Sequence, residues 1–372
     1  MADWRGSRTG GFFYRTVTWP DFEETDDYAD ATGGSLEMSA LSDVKMNGTL
    51  SFDGAPPDPS GLVRIYYGFT DAEGEYEEAP VATMCVQAAN PKVTDGPDGT
   101  AREGKATLTS VLQILKDVDL NRPFTVKAGE QAVAAAMSLI ADRGLPMNAP
   151  ESSYTLSRDY TVAPEDANVL AIVNELLGFA GYSSAWVDAY GIVQLTPYVE
   201  PTDREASTTF SAGKESVMYP EVGNENDWGD TPNAVRLSYS TDEECIVAWS
   251  LNMDPDHKAS LPARGGREKT LAEQVSELSG DTPEERLENL KAMAESKLLS
   301  NSAEIEYAEI GCAYLPILPN EAARIDYGGM NWKGAVMSHK VNLNDDSDCT
   351  IRIRRFVRTA LKVDTGGEVL WS

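Results

Sequence analysis

The sequence predicts a mainly β protein of α+β character: a β section, a compact α/β section, and a second β section with an inserted helix. Runs of aromatic and β-branched residues, separated by turns rich in Gly, Pro and Asp, occupy both ends of the chain. Near residue 106 the hydrophobic spacing changes to the helical period, which marks the start of the middle section. A length of 372 residues favours two or three domains over a single core.

Three strands are predicted in the first section. Phe12–Trp19 is aromatic and β-branched, and Pro20 ends it. Leu62–Tyr67 and Ala82–Gln87 are two further strands. Because a turn rich in Gly and Glu separates them, they are predicted to form an antiparallel pair.

The middle section combines helices with short strands. Its predicted elements are, in order, a short helix capped by Ser110, a strand at Phe124–Val126, a helix at Gly129–Arg143 ended by Gly144, an extended stretch at Tyr154–Val162, a helix at Asp166–Ala180, and a hairpin formed by Tyr182–Val187 and Ile192–Thr196. Pro197–Glu205 is predicted to be its exit linker.

The last section returns to strands and contains one strong helix. Ala234–Tyr239 and Cys245–Ser250 alternate cleanly, and the closing strand is predicted at Thr350–Arg358. Thr282-Pro283 is a helix start signal. The residues of this helix expected to pack on the section are Leu287, Leu290, Met293, Ala294 and Leu298.

Charge is the strongest compositional feature: 60 acidic residues stand against 31 basic ones, a net charge of −29. Such a surface repels nucleic acid, because binding DNA requires Lys and Arg to neutralise phosphates. It either serves solubility alone or lines a conduit through which DNA slides without sticking. Charge by itself does not choose between these interpretations.

The chain has no motif typical of catalysis or of a phosphate or metal site. Four widely spaced cysteines are expected to be reduced thiols, not zinc ligands, and the histidines, His257 and His339, have no partner motif. Asn344–Asp348 lacks the spacing of an EF-hand, so we interpret it as a turn that connects two strands and not as a cation site. Since the start of the sequence lacks an apolar signal and no run approaches membrane length, we expect synthesis in a cytoplasm and no membrane segment.

One basic run interrupts the acidic chain, and its members are Arg352, Arg354, Arg355 and Arg358. On a strand, Ile351 and Ile353 face one side, and Arg352 and Arg354 face the other. The arginines either form the charged outer face of an edge strand or contact an acidic surface, such as a neighbouring copy of the chain. They are the candidate protein interface.

The order of several segments resembles the tail hub proteins of long-tailed phages and related contractile particles, the family with the baseplate-hub fold. The segments that carry this resemblance are Val63–Tyr67, Ala82–Gln87, Ala106–Leu115, Val169–Pro197 with Trp186, Asp188 and Gly191, Asn233–Leu237, Leu318–Glu321, Ile325–Tyr327 and the arginine-rich final strand. Together they cover most of the chain.

The resemblance implies two tube-like β-barrel domains, residues 1–118 and 201–372, separated by a small α/β domain at 119–200. The second barrel would contain a helical insertion at about 268–300. Three chains would then present six barrels to a sixfold tail tube. The implied homotrimer has the tail tube or distal tail protein above it and a spike, fibre or lysin protein below, with the tape measure protein as a further partner.

The same resemblance implies a virion tail component, assembled in the host cytoplasm, through which DNA passes without specific binding. It implies no enzyme, no cofactor and no metal. Two alternatives stay open. A carbohydrate-binding adhesin of the tail tip would use exposed tryptophans, for which Trp228 and Trp332 are candidates. A peptidoglycan-cleaving lysin would need only a pair of carboxylates.

Overall fold

The computed structural model describes residues 9–71, 74–96, 99–164, 167–200, 203–213, 216–227, 229–241, 243–275, 278–302, 304–344, 347–357 and 361–371. The chain forms two compact units, Met1–Val222 with Glu309–Ile353, and Gly223–Ala308 with Arg354–Ser372. The mainly β class predicted from the sequence is confirmed. The division into three domains stays a prediction. None of the helices in the described ranges combines the length and the apolar character needed to cross a membrane.

The strands of the described residues are β1 Thr9–Val17, β2 Glu24–Asp27, β3 Ala31–Ser39, β4 Met46–Asp53, β5 Leu62–Thr70, β6 Tyr76–Gly96, β7 Gly99–Ser110, β8 Phe124–Val126, β9 Met147–Asn148, β10 Tyr160–Val162, β11 Trp186–Val187, β12 Val193–Gln194, β13 Thr208–Ser211, β14 Met218–Asp227, β15 Ala234–Ser240, β16 Cys245–Asn252, β17 Thr270–Val275, β18 Glu304–Ala313, β19 Ala322–Tyr327, β20 Met330–Asn342, β21 Asp348–Val357 and β22 Val363–Trp371. The helices are α1 Gln113–Lys116, α2 Ala132–Ala141, α3 Val169–Phe179 and α4 Pro283–Asn301.

The largest sheet has the strand order β14-β18-β21-β20-β3-β4-β7-β6-β5-β1-β2, with β19 and β13 added beside β20. The predicted antiparallel pairing of β5 with β6 is confirmed, with Leu62 opposite Cys85. Strand β1 lies on the other side of β5, with Val17 opposite Leu62. Because the described strands follow an open path, the two barrels implied by the resemblance stay a prediction.

The core of this sheet consists of apolar side chains at every second position of its strands. Leu50 and Phe52 on β4 and Leu108 on β7 are at most 2% exposed. Their neighbours along each strand point to the opposite face, as the two-residue period of a strand requires. The tyrosine hydroxyl of Tyr14 on β1 donates to the carbonyl of Leu343, at the end of β20, across the inner side of the sheet.

The middle section has the predicted helices and short strands, with shifted starts. The predicted cap of the first helix is wrong: α1 begins at Gln113 with Leu112 as its N-cap, while the Ser110 hydroxyl accepts from the Leu112 amide at 3.2 Å. Helix α3 begins at Val169, three residues later than predicted, because the Asn168 side chain caps it by accepting from the Ala171 amide at 2.9 Å. Asp166, the predicted start, lies outside the described residues. Helix α2 begins at Ala132, not at Gly129, because Gly129 has a left-handed φ of +88° and Gln131 is extended with ψ 120°, so neither residue is helical.

The second unit contains a four-stranded sheet of order β17-β15-β16-β22 with α4 packed on one face. The predicted start of α4 is confirmed, since the Thr282 hydroxyl accepts from the Glu285 amide at 3.2 Å. The core contains seven buried residues, Val235, Leu237, Ile246, Ala248, Leu290, Ala294 and Leu298, with Leu287 packed against it. The predicted burial of Met293 is wrong, because its side chain is 43% exposed.

Two strands of this sheet were not predicted. Strand β17 lies inside the stretch assigned to the helical insertion, and β22 follows the strand that was expected to close the chain. Both pair along their length, β17 parallel to β15 and β22 antiparallel to β16.

Candidate functional site

Three of the predicted interface arginines, Arg352, Arg354 and Arg355, lie on β21. Ile351 and Ile353 are fully buried and Arg352 and Arg354 half-buried, so the predicted alternation of faces is confirmed. The guanidinium of Arg355 binds the carboxylate of Glu306 on β18, with its Nε donating at 2.6 Å. Arg358 lies outside the described residues. The role of these arginines as a protein interface stays a prediction.

Both histidines occupy buried structural positions. The His257 Nε2–H donates to the Ser302 carbonyl at 2.9 Å, and Nδ1 accepts from the Asn252 amide group at 3.1 Å. His339 is 0% exposed, and its Nδ1–H donates to the Ile317 carbonyl at 3.0 Å. Burial lowers the pKa of His339 to about 4. His339 is therefore neutral at physiological pH and has no exposed surface for a substrate.

The alternative interpretations lose part of their support. Trp332 was interpreted as a loop residue available to bind sugar, but it lies within β20 and is 7% exposed. Trp228 is outside the described residues, as are Asp345 and Asp346 of the acidic turn. In the part of the chain that the structure describes, no group of His, Cys, Asp and Glu side chains is arranged to hold a metal ion.

A network of polar side chains in the first unit lies where the β11–β12 hairpin meets β5 and β6. The turn of this hairpin is organised by Asp188, whose carboxylate accepts from the amides of Tyr190 at 2.9 Å and Ile192 at 3.0 Å. Gly191 has φ +82°, and a Cβ there would lie 2.9 Å from the Phe22 ring and 3.2 Å from Thr83. Only glycine fits this position without displacing a neighbour.

Arg64 of β5 connects the sheet to that turn. Its side chain is 6% exposed. It donates to the Thr83 hydroxyl at 2.8 Å, to the Tyr190 carbonyl at 3.1 Å and to Glu24 at 2.5 Å. The Thr83 hydroxyl in turn donates to the Ala189 carbonyl at 2.8 Å. We call the set Arg64, Glu24, Thr83 and the turn 188–191 the Arg64 junction.

A second arginine extends the junction to the surface. Arg15 of β1 binds Glu24 at 3.2 Å and both oxygens of Glu78 at 3.2 Å. Its guanidinium carbon also lies 4.5 Å from the centre of the Tyr66 ring, within cation–π range. The Tyr66 hydroxyl donates to the same carboxylate oxygen of Glu24 that Arg64 contacts.

Glu24 is thus held ionised by three donors. Partial burial opposes its charge, but the hydrogen bonds from Tyr66 and Arg64, the charge of Arg64 and the bond from Arg15 outweigh it and lower the pKa of Glu24. The arrangement fixes the hairpin turn and β2 against the sheet. Sequence reasoning missed it, although one signal was present: Arg64 stands alone in an otherwise apolar and aromatic strand.

Comparison with solved structures identifies the fold. A tail protein from Neisseria meningitidis MC58 aligns with a TM-score of 0.61 at 13% identity, over 93% of this chain and 97% of that chain. The 43 kDa tail protein of prophage MuSo2 from Shewanella oneidensis aligns with a TM-score of 0.60 at 12% identity, over 93% and 98%. A chain of the half-lidded Francisella PdpA–VgrG complex gives 0.54 at 9% identity, over 95% and 58%.

No protein-family model matches the sequence, and the comparison with curated proteins gives no match. At these identities the likeness concerns the fold alone. The chain has the fold of the two tail proteins along almost the full length of each. The resemblance to tail proteins is therefore confirmed at the level of the overall fold, whereas its two closed barrels stay a prediction.

Proposed function

We propose that this chain is a structural hub of a phage-type tail, which joins the tail tube or distal tail to the spike, fibre or lysin at the tip. One observation carries the proposal: the fold matches a tail protein and a prophage tail protein over 93% of this chain, and over 97% and 98% of those two chains. The match of its fold to a chain of the PdpA–VgrG complex supports a position near a spike.

The hub is a trimer, in isolation or once it meets the tail. A ring that continues a sixfold tube needs interfaces that close around an axis, and one β section at each end of the chain would let three chains supply six positions. The excess of 60 acidic over 31 basic residues supports an acidic bore, because carboxylates repel phosphate and let DNA pass without trapping it. Arg352, Arg354, Arg355 and Arg358 then point away from the bore, toward interfaces or the outer surface.

The proposal assigns this chain no catalysis and no cofactor; lytic or adhesive work belongs to other components. The burial of Trp332 removes one of the two tryptophans on which the adhesin alternative depended. A turbidity assay on cell walls and a glycan-binding assay test the lysin and the adhesin. Activity in either assay at the level of a dedicated lysin or lectin would replace the structural role.

The hub role itself is tested in assembled tails. Cryo-electron microscopy of purified tails is expected to locate this chain as a threefold ring at the distal end of the tube, with carboxylates lining the central hole. A ring of six copies with one β section each facing the tube, or a bore lined by arginines, would contradict the proposal. Normal assembly of the tail tip after deletion of the gene would also contradict the proposal.

A further inference from the structure

Strand β22 forms one edge of the four-stranded sheet, and no described residue pairs with its outer side. It pairs with β16 along its whole length, from Val363 to Trp371. At nine residues it is longer than the average strand of about five or six. Natural edge strands are usually kept from pairing by short length, lysine, proline or a cover. Strand β22 has neither lysine nor proline, and its charged side chains, Asp364 and Glu368, repel an acidic strand but attract a basic one.

The backbone groups on the free side of β22 belong to alternate residues. The Met253 amide donates to the Lys362 carbonyl at 2.8 Å, so the backbone of Lys362 is turned toward β16. By the two-residue alternation of an antiparallel pair, the even-numbered residues of β22 also turn their backbone groups toward β16, and the odd-numbered residues turn theirs to the free edge. The residues whose amides and carbonyls face that edge are Val363, Thr365 and Gly367.

The face of β22 on the α4 side is apolar. Val363 and Val369 pack against the buried core of this unit but stay partly exposed. A Cβ on Gly367 would lie 2.8 Å from the Leu287 side chain, so α4 lies directly over this face. Residues opposite each other on paired strands share a face. A strand that pairs with β22 would therefore place apolar side chains here, where they complete the cover of the two valines.

The other face of β22 presents a tryptophan between two carboxylates. The Trp249 ring lies over Gly366, where an added Cβ would be 2.7 Å from it. Asp364 and Glu368 are both exposed and lie on the same face, each about 7 Å along the strand from Gly366. Trp249 and Glu368 also line a groove of about 470 Å³ on this face. An aromatic ring beside carboxylates suits a Lys or Arg side chain, which gains both a cation–π contact and charge attraction.

The charge balance of this face favours a basic partner. Neither Asp364 nor Glu368 forms an ion pair with another described residue. Lys362, just before β22, offsets one of the two acids, so one negative charge remains in excess. The other charged residues that border the groove are already paired, and they are Arg236 with Glu268 and Glu273 with Lys297.

We propose that the free edge of β22 binds an extended segment of a partner protein in which basic and apolar residues alternate. The segment runs antiparallel to β22, the orientation with the slightly more stable ladder. Its apolar residues pair with the odd-numbered residues of β22 and pack beside Val363 and Val369. Its basic residues lie on the other face, against Trp249, Asp364 and Glu368. In such strand addition, main-chain hydrogen bonds supply affinity and alternate side chains supply specificity. The inference goes beyond the proposed hub function, because it names a surface and the chemistry of its partner.

The test is fluorescence anisotropy at physiological salt, with the purified full chain and the labelled peptide Thr-Lys-Val-Lys-Val-Lys-Thr. Saturable binding is expected. N-methylation of the valines should weaken binding about tenfold, because it removes the amides that face β22. N-methylation of the lysines is the matched control, since in the antiparallel orientation their amides face away from β22. This control peptide should bind within about twofold of its parent.

Variants of the chain locate the site. The double variant Asp364→Lys, Glu368→Lys should bind the peptide about tenfold more weakly, because it turns attraction into repulsion. The matched control, Asp142→Lys, Glu151→Lys, makes the same change of net charge at exposed positions of the middle section. It should bind like the unaltered chain. Circular dichroism checks that both variants keep their fold.

Several results would overturn the inference. One is an N-methyl-valine peptide that binds as tightly as its parent, and another is an equal loss of affinity in the two double variants. Competition by chitotetraose would assign the groove to a glycan instead. Self-association that the β22 double variant loses, without peptide binding, would assign the edge to a second copy. Microscopy of tails is a separate readout: a threefold ring without peptide binding ends this proposal alone, and peptide binding without such a ring ends the hub proposal alone.

Discussion

Replacing Arg64 by methionine tests whether the Arg64 junction holds the middle section on the sheet. The substitution keeps most of the side-chain volume but removes hydrogen bonds to Thr83, Tyr190 and Glu24. Hydrogen bonds from a charged donor contribute about 1.5–3 kcal/mol each. In the variant, Glu24 keeps its hydrogen bonds from Arg15 and Tyr66, so it loses only one of its three donors. We expect a net destabilisation of about 3 kcal/mol, below the sum of the bonds, because the buried charge itself costs free energy.

Calorimetry measures this effect as a fall in the Tm of the first unit of about 6–12 °C. A double-mutant cycle with Glu24→Gln is expected to give a coupling free energy of about 1–2 kcal/mol. The matched control is Arg236→Met, which removes a surface ion pair with Glu268 from a side chain that is 59% exposed and should cost less than about 1 kcal/mol. If Arg64→Met and Arg236→Met lose equally little stability, the prediction is wrong, because the burial of the arginine and the number of its partners would then make no difference.

The Arg64–Glu24 contribution should also depend on pH. The pKa of folded Glu24 is lowered. Its ionised form therefore stabilises the fold above the pKa of the unfolded carboxyl, and this stabilisation is lost as the pH falls through the lower, folded pKa. The coupling measured in the cycle should accordingly shrink in acid. A coupling that is unchanged well below the usual pKa of a glutamate would contradict this assignment.

Three further predictions concern the core. Leu290→Asp should lower the free energy of unfolding by several kcal/mol, on the order of 4, because it buries an unpaired charge. Met293→Asp should have little effect. If denaturant titration finds equal losses of stability for the two variants, the packing face of α4 is misassigned. His339→Asn keeps a donor for the Ile317 carbonyl but cannot titrate. Since the folded pKa of His339 is about 4 and the unfolded value about 6.5, the unaltered chain should lose stability as pH falls between those values, and the variant should lose less. Mass spectrometry without reductant should find four alkylatable thiols after unfolding, with the thiol of Cys85 slow to react in the folded chain because burial raises its pKa to about 12; intact disulfides would count against assembly in a reducing compartment.

Local sequence signals were sufficient to predict the elements whose structure depends on neighbouring residues. The β5–β6 pair was predictable because its turn lies between two clear strands, and α4 because Thr282 and Pro283 mark its start. The narrow stripe of α4 was harder to predict. Leu290, Ala294 and Leu298, spaced four residues apart, face the sheet, and Met293 lies to one side of them. Spacing alone does not tell how wide a stripe the sheet will cover.

Strand β22 was missed because its sequence contains a Gly-Gly pair, which favours a turn. The structure explains the pair differently. A Cβ on Gly366 would lie 2.7 Å from the Trp249 ring, and one on Gly367 would lie 2.7 Å from the Val247 carbonyl oxygen. Both glycines serve the close approach of β16, which is more than a hundred residues earlier in the chain. No local pattern contains that information.

The sequence marks Arg64 as an isolated charge in an apolar strand, but it does not identify the partners, since Arg64 and Tyr190 are 126 positions apart. The chemistry of the Arg64 junction still explains how it fixes the turn in one position. An apolar contact of this size would tolerate sliding, because hydrophobic attraction has no direction. The planar guanidinium donates along fixed directions, so the Thr83 hydroxyl, the Tyr190 carbonyl and Glu24 can all be satisfied in only one placement of the turn. The turn also packs closely at Gly191, where an added Cβ would lie 2.9 Å from the Phe22 ring and 3.2 Å from Thr83. In the proposed hub, such a joint would set the orientation of the middle section before any partner binds.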